Sequence, residues 1–106
     1  MIDNGGAVLI MMVDVEPGQE DAFNLWYNEQ HIPEMLALPG VRAARRFESV
    51  QGGAKYLAVY EIDEPAVLDS PEFIRWRDGS ESTQRMRKNL TSVTRGVYRE
   101  IFFASK

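Results

Sequence analysis

With 106 residues, 44% of them hydrophobic and 26% charged, the chain has apolar material for one modest core. A net charge of −4 argues against nucleic acid or an anionic membrane as partner, and the lack of cysteine excludes disulfides, thiolate catalysis and Cys-based metal sites. No apolar run reaches the roughly 18 residues of a membrane span, and the opening MIDNGG lacks the basic and apolar parts of a secretory leader. The expectation is a cytoplasmic protein with a disordered lead-in over 1–6 and one domain over 7–104.

The first element, Ala7 to Val15 (AVLIMMVDV), reads as a strand that is apolar on both faces, with Leu9, Met11 and Val13 opposite Val8, Ile10 and Met12. Such a strand needs cover on both sides. Glu16-Pro17-Gly18 ends it, and Gln19-Glu20-Asp21 places acids in a first helical turn, where the helix dipole favours them. Ala22, Phe23, Trp26, Tyr27 and Gln30 recur at helical spacing as an inward face, with Asn24, Tyr27 and His31 along one edge. Pro33 cannot donate a backbone N–H and restricts Ile32, so the helix is expected to end or kink near His31. A short second piece then runs to Leu38, and Pro39-Gly40 stops it.

Val41 to Val50 alternates, with Val41, Ala43, Arg45 and Phe47 against Arg42, Ala44, Arg46 and Glu48. A turn at Gln51-Gly52-Gly53 leads to a second strand, Lys55 to Asp63, with Tyr56 and Tyr60 on one face, completing a hairpin. Ser70-Pro71-Glu72 is a helix start, opening a helix over Pro71 to Asn89 that Asp78-Gly79 divides. Val97 to Ala104 is expected to be the last strand, apolar on both faces. The order βαββαβ gives an α+β, ferredoxin-like fold: a four-stranded antiparallel sheet with helices on one face. The opposite, apolar face then calls for a homodimer through the sheets.

The run WYNEQHIPEMLALPGVRAARRF resembles the signature region of EthD-like proteins of the dimeric α/β-barrel superfamily, and SPEFIRW through RGVYREIF resembles the rest of that family. The resemblance implies a dimeric α/β barrel with a small-molecule pocket between helices and sheet in each subunit. Relatives in that superfamily include cyclases, isomerases, dehydratases, cofactor-free monooxygenases and haem-degrading enzymes.

His31, the sole histidine, titrates near neutrality and is the first candidate acid/base; its bland reading is a helix cap for carbonyls freed by Pro33. Tyr27, one turn earlier, either orients His31 or donates to an oxyanion, or is a core tyrosine. Asn24, Arg45, Tyr56, Tyr60 and Trp76 are candidate substrate-binding residues. Arg45 and Arg46 point to opposite faces, so at most one reaches a pocket, and an inward arginine pairs with a carboxylate or enolate. Arg85, Arg87 and Lys88 read as a solvated face. One histidine without cysteine gives no metal-spaced cluster, and no glycine-rich phosphate loop is present, so neither metal nor cofactor is expected. What remains is proton transfer on an apolar, aromatic or polyketide-like substrate. The alternatives are a non-catalytic binding or carrier protein, or a haem-handling protein with His31 as axial ligand.

Overall fold

The computed structural model describes residues 6–106; the expected lead-in lies outside them except for Gly6, whose carbonyl accepts from the Glu100 N–H at 3.0 Å. In chain order the elements are β1 (Ala7–Val15), α1 (Glu20–Trp26), a π-turn (Tyr27–His31), α2 (Ile32–Leu36), β2 (Val41–Glu48), β3 (Tyr56–Ile62), a 3₁₀ turn (Pro65–Asp69), α3 (Pro71–Gly79), α4 (Glu81–Arg87) and β4 (Leu90–Arg99). The four strands form one antiparallel sheet in the order β2-β3-β1-β4, so this is the α+β, ferredoxin-like arrangement. Among the described residues, no helix is long and apolar enough to cross a membrane.

One face of the sheet carries the core. Leu9 and Val13 of β1 and Tyr56, Ala58, Tyr60 and Ile62 of β3 alternate as buried positions, and Phe23, Tyr27, Met35, Leu68 and Phe73 come down on them from the helices and turns. The period of two decides which side chains meet. On the opposite face stand Met12, Phe47 and Tyr98, all exposed, with Val8, Ile10 and Val59 half-buried between them.

Pro33 does not break the helix. The Ile32 N–H reaches back five residues to the Tyr27 carbonyl, and Ile32 keeps helical angles (φ −63°, ψ −46°). The wider turn makes room for the ring, and Pro33 falls in the first turn of α2, where its missing N–H costs least. His31 therefore lies inside a continuous helical rod, not at a C-terminus, and has no freed carbonyls to cap. Ala22 and Gln30 are exposed, which narrows the inward face of α1 and the start of the π-turn to Phe23, Trp26 and Tyr27.

Two strand assignments also shift. A β-bulge between Val41 and Ala43 changes the parity of β2, so buried Val41 shares its face with Ala44 and Arg46 instead of with Arg45. The last strand begins at Leu90 and ends at Arg99, not at Val97 to Ala104; Ile101, Phe102 and Phe103 lie beyond it and are exposed. The second helical segment divides at Ser80, whose hydroxyl accepts from the Thr83 N–H to start α4, as the Asp78-Gly79 pair led one to expect.

Gly40 turns the chain into β2 at φ +86°, and a Cβ there would stand 2.5 Å from Val67 Cγ2. Gly40→Ala is expected to lose more than about 1 kcal/mol of stability from backbone strain and this clash together. A urea midpoint unchanged within error would contradict the packing of the 3₁₀ turn against Gly40.

Candidate active site

Between the sheet and the helices lies a cavity of about 500 Å³. Its floor is Leu9, Met11 and Ala58; its walls include Tyr60, Phe73 and Met86. Of the seven residues singled out from the sequence, His31, Tyr27, Tyr56, Tyr60 and Trp76 line it. Asn24 and Arg45 do not. Asn24 stands behind the wall, donating to the Tyr56 hydroxyl at 3.3 Å and accepting from Arg46 Nη2 at 2.7 Å. Arg45 is on the other face of the sheet, paired with Glu61. The arginine that enters is Arg46, because the bulge in β2 turned the strand's parity. Its guanidinium is held by Asn24 and Asn28 (2.9 Å) and lies 4.5 Å from the centre of the Tyr27 ring.

His31 sits among aromatic rings. The Trp26 indole is 4.6 Å away, Trp76 5.3 Å and the Tyr27 ring 4.8 Å, centre to centre. Thr83 Oγ1 lies 3.5 Å from Nδ1; Nε2 has no partner among the described residues. The roof is pinned above the ring: Trp76 Nε1 donates to Glu34 at 2.9 Å and Gln30 donates to Ser82 at 2.9 Å, tying α3 and α4 to the π-turn and α2. Burial removes water from the imidazolium, and Arg46 and Arg87 oppose a further positive charge, while Glu34 pulls the other way. The net effect drops the His31 pKa from 6.5 to about 4, so the ring is neutral at pH 7.

The phenols are shifted in the opposite direction. Burial raises both Tyr27 and Tyr60, and the Arg46 cation only partly offsets it. Their hydroxyls bond to one another. One of the two O–H groups is spent in that bond, which leaves the other free to donate into the cavity. A neutral imidazole, a protonated phenol and a guanidinium thus share one apolar chamber: a proton acceptor beside two groups suited to a developing oxyanion. Among the described residues, no three or more His, Cys, Asp or Glu side chains are grouped to hold a metal ion.

Two features of the site had no clear sequence signal. Trp26 reads as core, yet it flanks His31, and its buried Nε1 has no hydrogen-bond partner among the described residues. Arg87 and Arg95 line the cavity, although the first reads as a solvated face and the second lies in a stretch too polar to register as strand.

The depressed His31 pKa predicts an acid-side loss of stability. Between pH 6.5 and about 4 the unfolded chain binds the proton that the folded ring resists. The contribution is therefore complete above pH 6.5, falls as the pH drops towards 4 and then levels off, amounting to about 2–3 kcal/mol after allowance for the ring's partial exposure. Urea unfolding of the wild type and His31→Gln at pH 7 and pH 4.5 checks this: the wild type should lose more than the variant by that margin, and equal losses would contradict it.

A family profile described as a domain of unknown function, DUF4286, matches residues 7–88, from β1 to just past α4. No curated protein matches the sequence. Among solved structures, the chain is similar to a protein from Bordetella bronchiseptica provisionally named an antibiotic biosynthesis monooxygenase (TM-score 0.75, 16% identity, covering 92% of this chain and 99% of that one). It is similar to an EthD family protein from Bacillus halodurans C-125 (TM-score 0.66, 18% identity, 91% and 99%). It is also similar to a dimeric ferredoxin-like protein from an uncultured marine organism (TM-score 0.73, 11% identity, 98% and 95%). At these identities the likeness speaks for the fold, and the fold is the EthD-like, ferredoxin-like one expected from the sequence.

Proposed function

The chain belongs to the DUF4286 family of domains of unknown function, and from that premise we propose a cytoplasmic, cofactor-independent enzyme that moves a proton on a small apolar or aromatic substrate. The observation that carries this reading is the neutral His31 ring facing the same cavity as the Tyr27–Tyr60 pair and Arg46. His31 takes a proton from an activated C–H or O–H. Arg46 and the free phenolic O–H hold the oxyanion that results, and His31 returns the proton elsewhere. A base of pKa about 4 abstracts only protons that conjugation has already made acidic, which favours aromatic ketones, polyketide-like chains and phenols. Isomerisation, cyclisation and dehydration share this first step, as does cofactor-free oxygenation, whereas decarboxylation reaches the same oxyanion by loss of CO₂ and takes up its proton afterwards. The same low basicity supports a second reading, a binding or carrier protein that holds such a molecule without turning it over. The deciding experiment is exchange of the α-protons of 2-tetralone for deuterium in D₂O, followed by NMR. Acceleration above buffer supports the enzyme; tight binding without acceleration supports the carrier.

The reading includes a homodimer through the outer sheet face. Met12, Phe47 and Tyr98 form an exposed apolar surface there, and one of the similar structures is described as dimeric. Two copies packed face to face bury this surface and close a barrel. Light scattering at micromolar concentration is expected to give twice the 12.1 kDa chain mass, and Met12→Glu with Val59→Lys to return the monomer mass. A monomeric wild type would end this part of the proposal.

A further inference from the structure

Strand register places Arg46 of β2, Ala58 of β3, Met11 of β1 and Arg95 of β4 side by side in a single row across the sheet. All four line the cavity. Three inter-strand gaps separate the two arginine backbones, about 14 Å at 4.8 Å per gap, with only a methyl group and a flexible thioether between them. From the opposite side Arg87, in the last turn of α4, lines the same space. The chain as a whole carries four more acids than bases, 16 against 12. Its cavity reverses that balance, with Arg46, Arg77, Arg87 and Arg95 against the single carboxylate of Asp69.

The arginines differ in how they are used. Arg46 is bound by two asparagines and stacked on tyrosine, and Arg77 is paired with Asp78. Outside the cavity, Arg42 pairs with Asp63 and Arg45 with Glu61. Arg87 and Arg95 have neither a carboxylate nor any other hydrogen-bond partner among the described residues. Arg75, Arg85 and Arg99 are also without a carboxylate among the described residues, but they do not line the cavity. Arg87 and Arg95 do: they face a common apolar chamber with their donors uncommitted, and are placed to receive an anion from outside.

We propose that the ligand is an amphiphilic carboxylate. Its ring-sized apolar body lies on Ala58 and Met11, and its carboxylate is clamped at the mouth by Arg87 and Arg95, where guanidinium forks match the two oxygens. The far end of the molecule then reaches His31, the tyrosine pair and Arg46. Which end reacts rests on the proton-transfer reading above; the clamp does not.

The test compares 2-naphthoate with its uncharged counterpart 2-naphthamide, read by NMR from the indole N–H signals. Both tryptophans of the chain, Trp26 and Trp76, line the cavity and report its occupation. Naphthoate is expected to shift both indoles and to bind at least tenfold more tightly than the amide. The double variant Arg87→Gln with Arg95→Gln should weaken naphthoate at least tenfold and leave naphthamide unchanged, and Arg45→Gln should alter neither. Equal binding of acid and amide overturns the proposal. So does an absence of naphthoate binding at millimolar concentration, or a double variant that binds naphthoate as the wild type does. The exchange probe 2-tetralone is uncharged, so the two ideas fail separately: acid preference without exchange removes only the enzyme, and exchange without acid preference removes only the clamp.

Discussion

A His31→Gln protein is expected to exchange the α-protons of 2-tetralone about 10²- to 10⁴-fold more slowly than the wild type, the usual contribution of a placed general base. Glutamine keeps a polar group of similar reach among Trp26, Trp76 and Thr83 but offers no basic nitrogen. What survives is the oxyanion support of Arg46 and the phenol pair, which lowers the barrier without accepting a proton. The pH profile carries the sharper signature. With the folded pKa near 4, the wild-type rate should stay level from pH 8 to about pH 5 and fall only as the ring protonates below that. An ordinary histidine would inflect near 6.5. A folded variant, with unchanged circular dichroism, that exchanges as fast as the wild type removes the imidazole from the chemistry.

Phe23→Ala is expected to be the most damaging core truncation, at about 3–5 kcal/mol. Phe23 is 1% exposed and touches Trp26, Tyr27 and Tyr56, with the Arg46 guanidinium 5.5 Å above its ring. Removing it empties the support under the candidate site and takes away one of the rings that hold Arg46. In a domain of this size total stability is about 5–15 kcal/mol, and each kcal/mol shifts the melting midpoint by roughly 4–8 °C. A fall of more than about 12 °C follows. Phe103, 67% exposed beyond β4, provides the contrast: its truncation should move the midpoint of an isolated protomer by no more than about 0.5 kcal/mol. A Phe23→Ala protein that melts within a few degrees of wild type would mean that this ring is not the keystone its burial indicates.

The parts of the fold that could be read in advance are those where apolar periodicity is strong. β3 alternates cleanly, β1 is an apolar run closed by Glu16-Pro17-Gly18, Ser70-Pro71 announces α3, and the acids at Glu20 and Asp21 announce α1. Three local features escaped, each because a short-range signal was overridden. Pro33 predicts an ending, but widening by one residue accommodates the ring. The alternation of β2 predicts that Val41 and Arg45 share a face, but a bulge, which leaves no mark in the pattern, swaps Arg45 for Arg46. The start of β4 is Leu90-Thr91-Ser92-Val93-Thr94, polar and mostly exposed; only backbone pairing to β1 makes it a strand, and the β-branched residues were its sole hint. The lining of the candidate cavity was legible where it stands on the π-turn and β3, in Tyr27, His31, Tyr56 and Tyr60. It was obscure where residues far apart in sequence meet through β4, which starts seven residues before the expected Val97, as Arg95 and Met11 do.

The π-turn at Tyr27–His31 makes the aim of the imidazole a matter of counting. Each residue of a regular helix advances the side-chain direction by about 100°. The wider turn takes up its extra residue locally, so α1 and α2 continue as one rod on either side of it. Deleting a residue there would tighten the turn against the Pro33 ring, which lies in the helix only because the turn is wide. A shortened chain is therefore expected to break its rod at Pro33, so that one codon decides whether the imidazole stands on a continuous helix.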